Sequence, residues 1–185
     1  MKNIILASKS PRRKGLLEKA GFKFSIKTID VDETFYPFLS NEINSLIVAR
    51  KKADILPQPD ENTIVISADT IVILGDKVYG KPKDKDDAIR MLKELSGKTH
   101  HVMTSVCLLC GRITKTFSVV SDVIFKDLSE EDIEKYILSE EWKDKAGAYA
   151  IQGIGKKLVS GYTGSFTNIV GLPIEDIENK LKKQL

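Results

Sequence analysis

The stretch Asn3-Ile4-Ile5-Leu6-Ala7-Ser8-Lys9-Ser10-Pro11-Arg12-Arg13-Lys14-Gly15-Leu16-Leu17 changes its period in the middle, and that change decides the fold class. Asn3–Ala7 reads as a short buried strand. Ser8 to Pro11 stops the strand and opens a helix: Ser10 suits the N-cap, and Pro11 suits the first helical position, where its missing N–H removes no bond. Leu16, Leu17 and Ala20 supply the apolar face of this helix, and Gly21 supplies its stop. The chain therefore begins as a strand, a loop and a helix.

Working outward, residues 22–31 read as a second extended segment leading into Asp30-Val31-Asp32-Glu33. Ser40 opens a helix whose apolar residues Ile43, Leu46, Ile47 and Ala53 fall near a 3.6 period, and Pro57 ends it. Residues 63–67 form a β-branched strand ending at Ala68-Asp69-Thr70, and residues 71–74 form a further strand. Gly75-Asp76 then makes a hairpin turn. Residues 84–95 read as a helix with acidic residues in the first turn and Ser96-Gly97 at the end.

Two long extended runs, Thr99–Cys110 and Ile113–Phe125, joined by Gly111-Arg112, predict an antiparallel hairpin. Ser129 caps another helix, and Pro173 starts a last amphipathic one through Ile174, Ile177 and Leu181. Strands and helices mix without strict alternation, so the expectation is an α/β fold with a mixed sheet flanked by helices. No repeat, low-complexity segment or linker divides the chain, which reads as a single two-lobed domain over residues 1–185.

Composition narrows the function. The 185 residues suffice for roughly one domain that buries about 70% of its unfolded surface without disulfides or metals. Hydrophobic residues at 42% and charged residues at 30% exclude disordered and fibrous classes. The 29 Lys and Arg against 26 Asp and Glu leave a formal net charge of +3, too balanced for nucleic-acid or membrane binding by bulk charge. Any anion site must be local. The apolar run at residues 4–7 is shorter than a signal-peptide core, and no later run would span a bilayer, so a cytoplasmic protein is expected.

The residues that suit chemistry cluster in a few places. Hydroxyls and cations crowd the helix start at Ser8, Ser10, Arg12 and Arg13. There the dipole favours an anion, and arginines add forked contacts to phosphate oxygens. The same pattern also fits an ordinary capped helix with solvated cations. Asp69 follows the apolar strand residues 64–66, and a carboxylate at a buried strand end is costly unless it is hydrogen-bonded, metal-bound or functional. Asp32 and Glu33 add carboxylates that serve equally as loop charges. Lys81, fixed between Gly80 and Pro82, has the length to reach a phosphate.

Other signals point away from chemistry. Residues 145–155 match neither a dinucleotide fingerprint nor a phosphate-binding P-loop, and no nucleophile elbow occurs. Cys107 and Cys110 are three apart on an expected strand, which puts them on opposite faces about 10 Å apart and makes them structural. His100 and His101, being adjacent, point apart and share no metal.

Taken together, these segments resemble the Maf-like nucleoside triphosphate pyrophosphatases over nearly the whole chain. The matching pieces are Leu6-Ala7-Ser8-Lys9-Ser10-Pro11-Arg12-Arg13, Asp30-Val31-Asp32-Glu33, Ser67-Ala68-Asp69-Thr70, Gly80-Lys81-Pro82 and Leu95-Ser96-Gly97. They continue with Asp144-Lys145-Ala146-Gly147-Ala148-Tyr149, Ile151-Gln152-Gly153 and Gly164-Ser165-Phe166-Thr167-Asn168-Ile169-Val170-Gly171-Leu172-Pro173. One departure is Ala150, where glycine is more usual.

The resemblance implies a mixed sheet bent around a cleft, similar to inosine triphosphate pyrophosphatases, and a homodimer. It implies metal-dependent hydrolysis, with Mg²⁺ or Mn²⁺, of a nucleoside triphosphate to the monophosphate and pyrophosphate, a house-cleaning role in nucleotide metabolism. On this chain Asp69 becomes the proton acceptor, Arg13 and Lys81 hold phosphates, and Glu33 helps with the metal or water. Arg12, Thr70 and Gln152 match the positions that mark substrate choice, and Ser8 and Ser10 line the same substrate-binding loop. The residues alone leave open whether Asp69 is base or metal ligand.

The resemblance also implies the dTTP and UTP subfamily. The sister group that prefers 7-methylguanosine triphosphate carries a tryptophan after the loop proline and a glutamate in place of Gln152, whereas Trp142 is the only tryptophan here. A carboxamide at Gln152 offers a donor and an acceptor to a uracil or thymine edge, or serves its own loop. The alternative function is a nucleotide-sensing regulator that inhibits septum formation, and it has no use for a positioned base.

Overall fold

The computed structural model describes residues 2–182. In chain order the elements are β1 (Asn3–Ala7), α1 (Pro11–Lys19), β2 (Phe24–Lys27), α2 (Asn41–Asp54), β3 (Thr63–Leu74), β4 (Lys77–Tyr79) and α3 (Lys85–Leu95). They continue with β5 (Thr99–Cys110), β6 (Ile113–Phe125), α4 (Glu130–Leu138), β7 (Val159–Thr163), α5 (Phe166–Val170) and α6 (Ile174–Lys182), with 3₁₀ turns at Ala146–Ala148 and Ile154–Leu158. The strands hydrogen-bond in the order β2-β1-β3-β5-β6-β7, with β4 beside β3. β1 runs parallel to β2 and β3, whereas β3–β4 and β6–β7 are antiparallel. The mixed α/β sheet flanked by helices expected from the sequence is present.

The residues group into two compact units. The first holds residues 2–70, 104–119 and 171–182, and the second holds 71–103 and 120–170. In the first unit the two-residue period of the strands sorts the core by face. Ile4, Leu6, Ile64, Ile66 and Ala68 pack with Leu17 of α1 and with Ile174 and Ile177 of α6. Ala7 and Val65 pack instead with Ala49 and Ala53 of α2. Cys110 joins the first group and Cys107 the second, so the two buried free thiols lie on opposite faces of their strand, as their spacing requires.

The order β2-β1-β3 has a functional consequence. The connection through α1 steps from β1 to one neighbour, and the connection through α2 steps back past β1 to the other. The helices cover opposite faces, so the carboxyl end of β1 lies beside the middle of β3 where the strand order reverses. Open parallel sheets bind ligands at such a crevice.

In the second unit, α3 buries Ala88, Met91, Leu92 and Leu95, and α4 buries Ile133, Tyr136 and Ile137. Ser129 and Asp132 form a capping box at the start of α4. His100, Phe125 and Tyr149 make an edge-to-face aromatic cluster with centroids 4.8–5.4 Å apart. His100 Nε2 and the Tyr149 hydroxyl are 2.8 Å apart, while His101 is exposed against Asp122. The two histidines point apart, as adjacent strand residues must.

Three local expectations change. The extended segment at residues 22–31 is a strand only over Phe24–Lys27, because its partner β1 ends at Ala7 and offers no further ladder. Residues 63–74 form one uninterrupted strand, so Asp69 lies inside β3 and not at a strand end. The buried side of α2 is Asn44, Ser45, Val48, Ala49, Lys52 and Ala53, whereas Ile43 is exposed.

Candidate active site

Alternation along β3 places neighbouring residues on opposite faces, and the site of the first unit is built on that alternation. Val65, Ser67 and Asp69 face α2, whose residues 45, 49 and 52 recur at helical spacing along the strand. Ser67 Oγ donates to the Ala49 carbonyl at 2.6 Å, Ser45 Oγ donates to Asp69 Oδ2 at 2.9 Å, and Lys52 Nζ donates to Asp69 Oδ1 at 3.1 Å. Lys52 also donates to the Ala68 carbonyl at 3.3 Å and pairs with Glu33 Oε1 at 2.8 Å.

Asp69 is 6% exposed and Lys52 is 8% exposed, so this carboxylate and ammonium form a buried pair. Lys52 was not among the residues singled out from the sequence. The signal that would have found it is the run of small or polar residues on the strand-facing side of α2, a poor hydrophobic stripe but a good polar one.

Thr70 faces the other way, toward α1. Arg13 Nη2 donates to Thr70 Oγ1 at 3.0 Å, Arg13 Nε donates to the Gly171 carbonyl at 2.8 Å, and Arg13 Nη1 lies 3.4 Å from Ser8 Oγ. Thr70 Oγ1 is also 3.0 Å from Thr104 Oγ1. Ser10 is the N-cap of α1, accepting from Arg13 N, and its own N–H donates to Ser8 Oγ at 3.1 Å. The expected helix-start loop is therefore built as read, with Pro11 in the first turn. Burial pulls the Arg13 pKa down to about 10 while Asp69 opposes the shift, and the guanidinium stays charged at neutral pH.

Gly171 has φ +122° and packs beside Thr70 Oγ1, 3.4 Å from where a β-carbon would stand. Only glycine takes that backbone geometry without strain, and it sets the carbonyl that holds Arg13.

Of the expected site residues, Ser8, Ser10, Arg12, Arg13, Glu33, Asp69 and Thr70 all belong to the first unit. The structure brings Glu33 and Asp69 together through Lys52, and Ser8, Arg13 and Thr70 together through the guanidinium, with Ser10 bonded to the Arg13 backbone N–H and to Ser8. Arg12 is partly exposed in the first turn of α1. Asp32 accepts from Thr34 N at 2.9 Å in a local turn, and its hydrogen bonds to the Thr34 side chain and then to the Thr34 backbone hold its pKa below the usual carboxylate value.

Lys81 and Gln152 belong to the second unit. Lys81 is exposed, and the loop before it is tied by Gly147 N donating to the Gly80 carbonyl at 3.1 Å. Gln152 is exposed and its carboxamide makes no hydrogen bond among the described residues. The bracing of its loop comes instead from Glu141, which accepts from Ile154 N at 3.0 Å and Gly155 N at 2.8 Å.

The donor chemistry decides whether a divalent ion suits this site. Two carboxylates, Asp69 and Glu33, converge on one cation, the Lys52 ammonium. Among the described residues, no three His, Cys, Asp or Glu stand together as a ligand group. Hard oxygen donors in this number fit an ion that arrives on a triphosphate and takes only one or two protein oxygens.

Comparisons with known proteins agree with this architecture. The family model described as Maf-like protein matches residues 3–184. A Bacillus cereus (strain G9842) protein named dTTP/UTP pyrophosphatase is 43% identical over 183 residues, covering 99% of this chain and 96% of its own. A Phocaeicola vulgatus protein of the same name is 46% identical over 185 residues, covering 97% and 95%. Among solved structures, a HAM1 protein from Coxiella burnetii superposes with a TM-score of 0.55 at 15% identity over 100% of both chains, a likeness of fold.

Proposed function

The chain belongs to the Maf-like family, and from that premise we propose that it hydrolyses pyrimidine nucleoside triphosphates of the dTTP and UTP kind to the monophosphate and pyrophosphate. The observation that carries this reading is the back-to-back pair on β3: Asp69 held by Ser45 and Lys52, and Thr70 held by Arg13.

In this reading, water attacks at the α–β linkage, and charge builds on phosphoryl oxygens. Arg13 meets that charge with a guanidinium already oriented by Gly171 and Thr70, so little reorganisation is needed at the moment of reaction. Lys81 adds a second cation to the phosphates. Asp69 takes the proton from the attacking water, with its direction set by Ser45 and Lys52. Lys52 lets Asp69 and Glu33 stand near each other as anions by placing one positive charge between them.

Asp69 and Glu33 would hold the Mg²⁺ or Mn²⁺ that accompanies the triphosphate, and when bound the ion supplies further neutralisation of phosphoryl charge. Ser8 and Ser10 shape the phosphate loop. Arg12, Thr70 and Gln152 set substrate choice, with the carboxamide of Gln152 matching the adjacent carbonyl and N–H of a uracil or thymine. The reading includes a homodimer working in the cytoplasm, where its substrates are made and used.

The test compares kcat/KM for dTTP, UTP and 7-methylguanosine triphosphate with Mg²⁺ and with Mn²⁺. Preference for the two pyrimidine nucleotides supports the reading, and preference for the methylated guanine nucleotide rejects the subfamily assignment.

A further inference from the structure

We propose that Glu141 is a positioning residue that sets base selectivity by holding the loop of Gln152; this inference rests on the reading of Gln152 as the base contact. The argument starts from what Gln152 lacks. Its carboxamide is exposed and makes no hydrogen bond among the described residues, so its own side chain does nothing to fix its direction. A donor–acceptor pair discriminates bases only if its backbone is fixed, because a loop that can shift lets the amide adapt to the wrong edge.

The fixing group is the Glu141 carboxylate. Its two oxygens accept separately from consecutive backbone donors, Ile154 N at 3.0 Å and Gly155 N at 2.8 Å, two and three residues beyond Gln152. A carboxylate accepting two amide N–H groups makes charge-assisted bonds, stronger than neutral ones. Gly153, next to Gln152, lies so close that a β-carbon there would stand 1.7 Å from Glu141 Oε1. The carboxylate therefore fills the space beside this turn as well as bonding to it.

Glu141 is itself anchored. The turn that carries it leaves the end of α4, where Ser139 Oγ donates to the Tyr136 carbonyl at 2.6 Å and accepts from Glu141 N at 3.3 Å. Trp142 Nε1 donates to the Ile137 carbonyl at 3.1 Å. A continuous set of hydrogen bonds thus runs from α4 through Glu141 to the backbone beside Gln152. At the other end of the same loop, Tyr149 is fully packed against His100 and Phe125. The loop is held on both sides of the residue that reads the base: on the side after it, the Glu141 carboxylate adds to the backbone bonds from Gly153 N to the Ala150 carbonyl at 3.3 Å and from Lys156 N to the Gly153 carbonyl at 3.2 Å.

The experiment measures kcat and KM for UTP and 7-methylguanosine triphosphate in the wild type and in Glu141→Gln, Glu141→Ala, Gln152→Ala and the Glu141→Ala/Gln152→Ala double variant. The positioning role predicts that Glu141→Ala raises the KM for UTP by about tenfold, with a change of less than about threefold in kcat, and lowers the preference for UTP over 7-methylguanosine triphosphate toward that of Gln152→Ala. Glu141→Gln, which keeps the size and one acceptor, lies between. In the Gln152→Ala background, Glu141→Ala adds less than about twofold, because the two residues act through one contact.

A folded Glu141 variant with wild-type preference, beside a Gln152→Ala protein that has lost it, overturns this inference alone. If Gln152→Ala keeps the preference, the base-contact reading fails and this inference with it. Should Glu141→Ala not fold, Glu141→Gln carries the same comparison, and an unchanged preference in it is likewise decisive against the proposal.

Discussion

Lys52 donates to Asp69 at 3.1 Å and pairs with Glu33 at 2.8 Å, so one ammonium from α2 joins the strand carboxylate to the carboxylate of the preceding loop. Removing one member of a buried ion pair leaves the other charge without compensation, which typically costs about 3–5 kcal/mol. Lys52→Met should therefore lower the melting temperature and cut turnover by about a hundredfold. The double variant Lys52→Met/Asp69→Asn should melt higher than Lys52→Met alone, since the stranded charge is gone. A Lys52→Met protein that melts and turns over like the wild type would show that the pair is dispensable.

Asp69→Asn keeps the shape and one of the two acceptors but removes the charge and the proton acceptor. Turnover should fall by at least about a hundredfold while the far-ultraviolet circular dichroism is unchanged. Near-normal turnover in this variant would assign the base to another group.

Arg13→Lys tests the forked contacts to Gly171 and Thr70. A lysine keeps the charge but cannot hold both partners in one plane, so KM for the triphosphate should rise by about tenfold or more. Equal KM values in the two proteins would reduce Arg13 to a point charge.

His100 makes stability depend on pH. Burial, with a smaller contribution from His101, pushes its pKa down to about 4 from 6.5, and Asp122 opposes the shift. Below pH 6.5 the unfolded chain takes a proton at this position that the folded chain refuses until about pH 4. Stability is therefore fully present above pH 6.5 and is lost as pH falls through that window, by as much as about 3 kcal/mol. Urea unfolding of the wild type and His100→Gln at pH 7.5, 6 and 5 should show the variant with the flatter profile. Parallel profiles would remove His100 as the cause.

Cys107 should be inert. Burial raises its thiol pKa to about 11, so the reactive thiolate is scarce at neutral pH. Incubation of the native protein with iodoacetamide at pH 7.5 should leave Cys107 unmodified by mass spectrometry, and rapid labelling there would contradict the burial.

The strand-to-helix opening was legible because capping chemistry is local: Ser10 and Pro11 mark the start of α1 by their own side chains, and Ser129 marks α4 in the same way. The residues of the phosphate loop followed from that. Lys52 was not legible, because periodicity counts apolar residues, and the buried side of α2 carries Ser45 and Lys52 where Ile43, Leu46 and Ile47 were the stronger hydrophobic signal. Its burial depends on the strand residue it meets, a relation between positions 52 and 69 that no local pattern encodes. Asp69 was read at a strand end for a similar reason: a carboxylate inside a strand is unfavourable until its partners are known.

Glu141 was hidden differently. A glutamate in a surface turn has no sequence signature, and its part in holding residues 154–155 exists only after the turn folds back. Residues 145–155 match neither a dinucleotide fingerprint nor a P-loop, and nothing in their sequence points to the group that holds them.

The central claim is the bond that is cleaved. The most direct measurement follows dTTP by ³¹P NMR with the purified protein, a divalent ion and no added pyrophosphatase, and identifies the first products. The account predicts dTMP and pyrophosphate appearing together in equal amounts. Orthophosphate appearing first, with dTDP, would contradict it.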